Sequence, residues 1–326
     1  KILTGEVTKQ QVMLTDDYFS IYARNKRRME DAFDSYGQHK IYSTMQKMEN
    51  GEFKTSVIFV TGAPHSGKSV FTEMLVKSIQ KDVKEKTGEV WTVCTCASSN
   101  PFDEYQGEEI LVMDDLRGMA LTASDWLKLL DPDRINMGSA RYKNKRMACR
   151  TIIINSEKDV IDFFYYTKGI GGDGRSEAMD QFIRRIMAKV VVFRVPDDYE
   201  TRRLKIGRME ESDAYQIASP DKVNGEQLTL HHEFNSIGSY DVDYSEGIKY
   251  LSALVMKNNK YDDEETQKVI ETYTDDLNDD LKAELYEDYK VYLDKFWSEH
   301  PGIKEPNNCP TFEWFLEQYK RKMNLI

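Results

Sequence analysis

The eight residues 62–69, with the sequence GAPHSGKS, constrain the fold of this 326-residue chain more than any other feature. The apolar run 57–61 before them predicts a buried strand, and residues 70–84 after them show apolar side chains at helical spacing. A strand, a glycine-containing loop and a helix start form a phosphate site, because the loop N–H groups and the helix N-terminus attract an anion. The predicted phosphate-binding residues are Gly62, Ala63, Pro64, His65, Ser66, Gly67, Lys68, Ser69 and Val70.

This pattern predicts a site for a nucleoside triphosphate with Mg²⁺. In such a loop the lysine, here Lys68, reaches the β- and γ-phosphates, and the hydroxyl of Ser69 ligates the metal.

A second apolar run, residues 109–115, ends in Asp114 and Asp115. Open α/β sheets bind ligands at the carboxyl ends of their strands, so both carboxylates are expected near the phosphates. We expect Asp114 to hold the hydrated magnesium and Asp115 to act as the general base toward water. The alternative, a solvated acidic turn after a core strand, is less favoured once Lys68 precedes the run at this distance.

A third apolar run, residues 150–156, carries Asn155 near its end. An amide at the tip of a strand beside the phosphate loop can hydrogen-bond the γ-phosphate and the attacking water, and so sense which nucleotide is bound. The alternative is an asparagine that opens the following turn.

Residues 134–150 hold six basic residues and no acidic ones, and a Gly-Ser pair predicts a hairpin turn. Basic side chains interleaved with an aromatic ring suit a polynucleotide, because they contact its phosphates and stack on its bases. An exposed basic hairpin without a ligand is the alternative. The candidate DNA-binding residues are Arg141, Tyr142, Lys143, Lys145 and Arg146.

In this order, the four segments resemble the A, B, B′ and C motifs of superfamily 3 helicases. The resemblance covers roughly residues 50–200 and is nearest to the replication initiator (Rep) proteins of rolling-circle plasmids and small circular single-stranded DNA viruses. It is strengthened by the pair Arg184-Arg185, since those proteins carry a similar pair after motif C.

The resemblance implies an α/β AAA+ ATPase core with a parallel central sheet, assembled as a homo-hexameric ring around single-stranded DNA. The hairpins with Lys143 and Lys145 would line the channel, and Arg184 or Arg185 would reach the ATP site of the neighbouring subunit as an arginine finger. The choice between the two arginines stays open, and either is alternatively an ordinary charge on a helix face.

Three domains are predicted: a helical oligomerisation collar at 1–50, the ATPase at 51–200, and a connector with an acidic helical region at 201–326. In the collar, helices are expected at 16–34 and 38–49, separated at 35–37. Its apolar stripe predicts either self-association or packing on the chain's own core. Residues 201–250, rich in glycine, are expected to be a loop-rich connector with short strands. The stripe consists of Phe19, Ile21, Tyr22, Met29 and Phe33.

The formal net charge is −11, of which −9 belongs to residues 261–326. An acidic exterior is compatible with DNA threading, since a ring needs positive charge only on its inner surface. The aromatic residues of the tail either recruit a host replication protein or form a small helical core. The sequence lacks a membrane-length apolar stretch and a zinc-type cysteine spacing, which predicts free thiols and a location in the cytoplasm of a bacterial host, or in the host nucleus if the source is viral.

Rep proteins usually carry an N-terminal nicking domain with a His-hydrophobic-His pair. That pattern is missing before Gly62, where His39 stands alone, so no nuclease activity is expected of these residues. The glycine-rich segment 169–174 lacks the flanks of a phosphate loop and is interpreted as a mobile loop.

The leading hypothesis is therefore an ATP-driven DNA helicase. An RNA-directed ATPase of the picornavirus 2C type is the second hypothesis, because those proteins share the motifs. A P-loop kinase of a small metabolite is the third, although it has no use for a basic hairpin or a collar.

Overall fold

The computed structural model describes residues 1–96, 101–138, 140, 144–167, 175–195, 198–221, 225–237, 242–274, 286–293, 295 and 315. Within these residues, a seven-stranded sheet has helices on both faces. The strands of this sheet are β1 Ser56–Thr61, β2 Val93–Thr95, β3 Ile110–Met113, β6 Thr151–Ser156, β7 Ala188–Val195, β8 Asp198–Ala218 and β9 Gln227–Ser236. The helices are α1 Lys9–Leu14, α2 Asp16–Glu49, α3 Lys68–Thr87, α4 Ala123–Leu129, α5 Val160–Tyr165, α6 Arg175–Ile183, α7 Tyr244–Asn258 and α8 Glu264–Thr274. Two short strands, β4 Met137–Gly138 and β5 Lys145–Arg146, pair separately as an antiparallel hairpin.

The strand before the phosphate loop lies inside the parallel part of the sheet. The strand order is β2-β3-β6-β1-β7-β8-β9, in which the first five run parallel and the last two join antiparallel. All six residues of β1 are buried, as expected of a strand covered on both faces. Phe59 packs with α4, α5 and α6, whereas its neighbour Ile58 packs with α3 and α7. The predicted α/β core with a parallel central sheet is confirmed.

The register of the sheet gathers the functional segments at one edge. Ile154 of β6 pairs with Phe59 of β1 on one side and with Met113 of β3 on the other. Because the three strands are parallel, the residues after β1 and β3 and the end of β6 lie side by side. The expected helix after the loop is α3, with its apolar residues Phe71, Leu75, Ile79 and Val83 fully buried.

The expected break of the N-terminal helical region at 35–37 is wrong. Helix α2 runs through these residues without interruption and departs from helical geometry at Asn25 instead. Gly37 is buried in the middle of the helix, where a Cβ would lie 2.6 Å from the carbonyl oxygen of Gln106. The glycine therefore permits close packing against the segment before β3 and does not mark a turn.

The expected loop-rich connector at 201–250 is also wrong. Strand β8 is 21 residues long, and with β9 it extends the central sheet as an antiparallel ribbon. Gly207 lies inside β8, where a Cβ would meet Phe234 of β9 at 2.9 Å, so this glycine too reflects close approach. Helix α7 follows and packs in the same core as α3. The boundary predicted at residue 200 falls within β8.

The acidic tail and the glycine-rich segment 169–174 lie largely or wholly outside the described residues. Of the tail, residues 286–293 are helical, and the ring of Phe315 lies 5.5 Å from the rings of Tyr289 and Tyr292.

Candidate nucleotide site

The phosphate loop connects β1 to α3 and contains residues with positive φ. His65 has φ 61° and Gly67, which precedes the first residue of α3, has φ 103°. A side chain is strained at the φ of Gly67, which explains the glycine at this position. The loop thus turns directly into a helix N-terminus, where the first N–H groups have no partner within the helix.

Lys68 is buried and folds back over the loop. Its ammonium donates to the carbonyl oxygens of Gly62 at 2.9 Å and Ala63 at 3.0 Å. Inside the loop the hydroxyl of Ser66 is buried without a hydrogen-bond partner. Val70, the last of the predicted phosphate-site residues, is half exposed on the first turn of α3. A cation and an unpaired donor in one small loop fit an anionic ligand.

A chain of side-chain hydrogen bonds links α3 to β6, which lies beside β1, and to the residue after β3, which lies beside β6. Ser69 Oγ donates to Asp114 Oδ2 at 3.5 Å, and Asn155 Nδ2 donates to Asp114 Oδ1 at 2.8 Å. Thr72 Oγ1 in turn donates to Asn155 Oδ1 at 2.8 Å. Asn155 is 1% exposed, so its amide orientation is set by these two neighbours. Asp114 is thereby held with one oxygen toward Ser69.

The pair Ser69 and Asp114 fits a magnesium ion. Mg²⁺ takes oxygen ligands and is usually bound through one or two carboxylates together with substrate phosphates and waters. A hydroxyl and a carboxylate oxygen facing each other beside the phosphate loop meet that requirement.

Asp115 differs from Asp114 in its surroundings. It is exposed and has φ 50°, a left-handed conformation that few residues other than glycine adopt but that aspartate tolerates better than most. It lines a cavity of about 480 Å³. Other residues around this cavity are Arg117, Ser156, Glu157, Lys158, Asp162 and Tyr166. The two predicted carboxylates are thus separated into one held in a network and one facing open space.

The two arginines after α6 are not equivalent. Arg184 is exposed, whereas Arg185 is half-buried and its Nη1 donates to the carbonyl oxygen of Gln181 at 2.5 Å. Burial, assisted by the positive charge of Arg184, lowers the pKa of Arg185. Of the two, Arg184 therefore has the guanidinium that is more accessible to a neighbouring molecule.

The predicted basic hairpin is present in its paired strands. Strands β4 and β5 pair Gly138 with Lys145, whereas Arg141, Tyr142 and Lys143 lie outside the described residues.

Lys145 departs from the expected channel position. Its ammonium donates to the carbonyl oxygens of Asp103 and, at 2.8 Å, Tyr105, because the β5 end of the hairpin packs against this segment. Arg146 is exposed, and its guanidinium lies 5.7 Å from the ring centre of Tyr42 on α2. Of the predicted DNA-binding residues that are described, Arg146 alone faces solvent.

Two residues near the site were missed from the sequence. Thr72 lies one helical turn after Lys68, and Arg194 at the end of β7 donates through Nε and Nη2 to the carbonyl oxygen of His65 at 3.1 and 2.7 Å. Thr72 follows Lys68 at helical spacing and shares its face, which is the only sequence signal for it. Arg194 has none, because its partner lies 129 positions earlier in the chain.

Comparison with known proteins agrees with this site. Residues 58–157 match the family model described as RNA helicase. The chain is 34% identical over 166 residues to a protein named "Replication protein" from Onion yellows phytoplasma (strain OY-M), a match that covers 50% of this chain and 39% of the relative. The chain thus spans well under half of that relative's length.

Among solved structures, the ATPase DotB of Legionella pneumophila is similar with a TM-score of 0.30 and 13% identity, over 72% of this chain and 63% of DotB. A likeness at that level supports no inference about function. Within the described residues, no helix is both long and apolar enough to cross a bilayer. The matched segment 58–157 contains the phosphate loop, Asp114 and Asn155, so the helicase-family match and the nucleotide-site geometry fall on the same residues.

Proposed function

We propose that this chain is the ATP-driven helicase part of a replication initiator protein of the superfamily 3 type. It hydrolyses ATP to move along single-stranded DNA and separate the duplex during rolling-circle replication of a plasmid or virus. The observation that carries the proposal is the hydrogen-bonded chain from Ser69 through Asp114 and Asn155 to Thr72, beside Lys68. The similarity to a replication protein favours DNA as the polynucleotide along which the protein moves.

The hydrolytic roles follow from what each side chain contacts. Lys68 exchanges the loop carbonyls for the phosphate oxygens of ATP, and Ser69 and Asp114 hold Mg²⁺. When bound, Mg²⁺ neutralises the charge that develops on the phosphoryl oxygens. Asn155 fixes the orientation of Asp114, and the exposed carboxylate of Asp115, next in the chain, accepts the proton of the attacking water.

Arg184 is the proposed arginine finger. The side chain of an arginine finger must extend from the surface of its own subunit to the nucleotide of a neighbouring subunit, which requires an exposed guanidinium. Arg184 meets this condition, whereas Arg185 is tied to the carbonyl oxygen of Gln181.

Self-association through the N-terminal region is supported by its division into two parts. Residues 36–47 of α2 face the ATPase core, where Lys40 pairs with Glu109 and Lys47 pairs with Glu89, each at 2.8 Å. The preceding residues instead form a small cluster around Val12, Tyr22 and Phe33. Phe19 and Ile21 remain 49% and 53% exposed. These apolar side chains are the surface through which a hexamer is proposed to close, with the hairpins toward the strand.

The test is steady-state ATP hydrolysis with and without single-stranded DNA. We expect DNA to stimulate hydrolysis, and Lys68→Ala to reduce the rate by roughly 10²–10³-fold, as for the loss of one transition-state donor. The fold must be retained, as shown by an unchanged circular dichroism spectrum. If the rate of ATP hydrolysis is unchanged by any nucleic acid and the protein is monomeric, the result points to a P-loop kinase and contradicts the proposal.

An RNA-directed ATPase is the second candidate, because the matching family is described as RNA helicase. The same assay with RNA and DNA strands of one sequence separates the two. Stimulation by RNA well above that by DNA favours the second candidate, and the reverse favours the first.

A further inference from the structure

Three buried polar atoms near the phosphate loop have no hydrogen-bond partner. They are Ser66 Oγ, Arg202 Nε and the hydroxyl of Tyr244. A buried donor without an acceptor is costly, so such groups call for an explanation, and a ligand is one. Ser66 belongs to the loop itself, but Arg202 lies on β8 and Tyr244 begins α7. Both lie beyond the segment 58–157 that matches the helicase family.

Arg202 and Tyr244 converge on the glycine before the phosphate-binding lysine. A Cβ on Gly67 would lie 2.9 Å from Arg202 Nε and 3.0 Å from the Tyr244 hydroxyl. The ring of Tyr244 is held edge-on against Phe71 of α3, with 5.4 Å between ring centres. Both donors are therefore held against the start of α3.

A second arginine adds positive charge at the same place. Arg194 of β7 pairs directly with Arg202 of β8, which puts both side chains on one face of the sheet. Like charges opposite each other on two strands are unfavourable, and an anion beside them removes the repulsion. Arg194 donates to the carbonyl oxygen of His65 and so stabilises the loop, whereas Arg202 Nε has no acceptor.

The Tyr244 hydroxyl is suited to donate to that ligand. Burial raises the pKa of Tyr244, against the opposing charges of Arg202 and Arg194, so the phenol keeps its proton at neutral pH. A neutral phenol and a guanidinium Nε are two donors without an acceptor between them, which selects an anionic oxygen.

We propose that Arg202 and Tyr244 form a second phosphate contact for the bound nucleotide, supplied within the same subunit by β8 and α7. The inference rests on the proposed ATPase function and extends it, because it makes the sheet extension and α7 part of the nucleotide site. Bound phosphate then connects the loop to elements that lie outside the family motifs.

The test is a titration with fluorescent mant-ADP and mant-ATP in the presence of Mg²⁺ and the absence of nucleic acid. We expect Arg202→Gln to weaken binding about tenfold and Tyr244→Phe, which keeps the ring contact with Phe71, to weaken it about threefold. Arg203→Gln is the matched control, because it removes the same charge from the opposite face of β8 and is expected to bind as the wild type does. Equal losses for both nucleotides assign the contact to a phosphate that ADP retains, and a loss confined to mant-ATP assigns it to the γ-phosphate.

Lys68→Ala separates failure of this inference from failure of the proposed function. If Lys68→Ala loses nucleotide binding while Arg202→Gln and Tyr244→Phe bind as the wild type does, the second phosphate contact is wrong and the ATPase proposal stands. If Lys68→Ala also binds both nucleotides normally, the ATPase proposal itself is overturned. Thermal unfolding of each variant shows whether a loss of binding reflects a loss of fold.

Discussion

The two edges of the parallel sheet both bury charged and polar side chains, but they use them differently. At the amino edge, before β2, β3 and β6, Glu109 and the Nη1 of Arg150 have partners in other parts of the chain. Glu109 accepts from Lys40 at 2.9 Å and from the backbone N–H of Thr92 at 2.8 Å. At the carboxyl edge, Ser66, Arg202 and Tyr244 present buried donors with no acceptor. Single unpaired atoms are buried at the amino edge too, at Arg150 Nε and the Thr151 hydroxyl, so it is the convergence of three unpaired donors beside the phosphate loop that indicates a ligand.

Arg150 shows the structural use of charge at the amino edge. It is 4% exposed, and its guanidinium lies 4.8 Å from the ring centre of Phe53 and 5.3 Å from that of Trp91. It also donates to the hydroxyl of Tyr261, beyond α7, at 2.5 Å, and lies 3.6 Å from Glu89. One arginine thus joins the start of β6 to the segments before β1 and β2 and after α7.

The largest expected effect is on stability at this edge. Arg150→Met is expected to lower the free energy of unfolding by about 3 kcal/mol, because it leaves the partners of a buried cation unpaired. Urea denaturation measures this loss. Arg146→Met is the matched control, four residues earlier and exposed, and should change stability by less than about 0.5 kcal/mol. Equal losses for the two variants would remove the structural role assigned to Arg150.

At the carboxyl edge the expected effect is on activity. Asn155→Ala is expected to reduce kcat for ATP about 100-fold, equivalent to about 2.7 kcal/mol, because Asp114 loses the partner that orients it. Steady-state kinetics with ATP measures the change. Thr151→Val at the other end of β6 is the control, since the Thr151 hydroxyl is buried without a partner and its removal should leave kcat unchanged. A similar fall in both variants would mean that β6 responds as a whole and that Asn155 has no special role.

The smallest expected effect is a pH dependence of stability that belongs to the amino edge. Although burial alone raises the pKa of Glu89, the hydrogen bond from Lys47 and the charge of Arg150 outweigh it and lower the pKa to about 2. Its value in the unfolded chain is about 4.3, so the stabilisation is complete above that pH and is lost as the pH falls toward 2.

Urea midpoints of the wild type and Glu89→Gln across pH 3 to 7 test this. The wild type should be the more stable at pH 7, and the difference should shrink as the pH falls. If the difference in urea midpoint between the wild type and Glu89→Gln stays constant with pH, the Glu89 carboxylate is not the cause of the pH dependence of stability.

Much of the carboxyl edge could be predicted from the sequence, because its motifs are local. Asp114 and Asn155 stand at the ends of apolar strands, and Lys68 follows one through a glycine-containing loop. Their position at one edge of the sheet could therefore be predicted without knowing the strand order, while their roles stay predictions. Thr72 was missed, since its bond to Asn155 spans 83 positions. The antiparallel pairing of β8 with β9 was missed for a related reason. Glycines that permit close approach in a folded sheet look the same in sequence as glycines that make turns.

The sequence by itself determined the strand-loop-helix unit around Lys68, the α/β core and the polar residues at the strand ends, because strand and helix periodicities and loop chemistry act over a few residues. Only the tertiary structure decided which of those residues touch, that Lys145 turns inward, and that Arg202 and Tyr244 reach the loop from β8 and α7. These outcomes depend on contacts between residues far apart in the chain, and such contacts form only when the strands have paired in their final order.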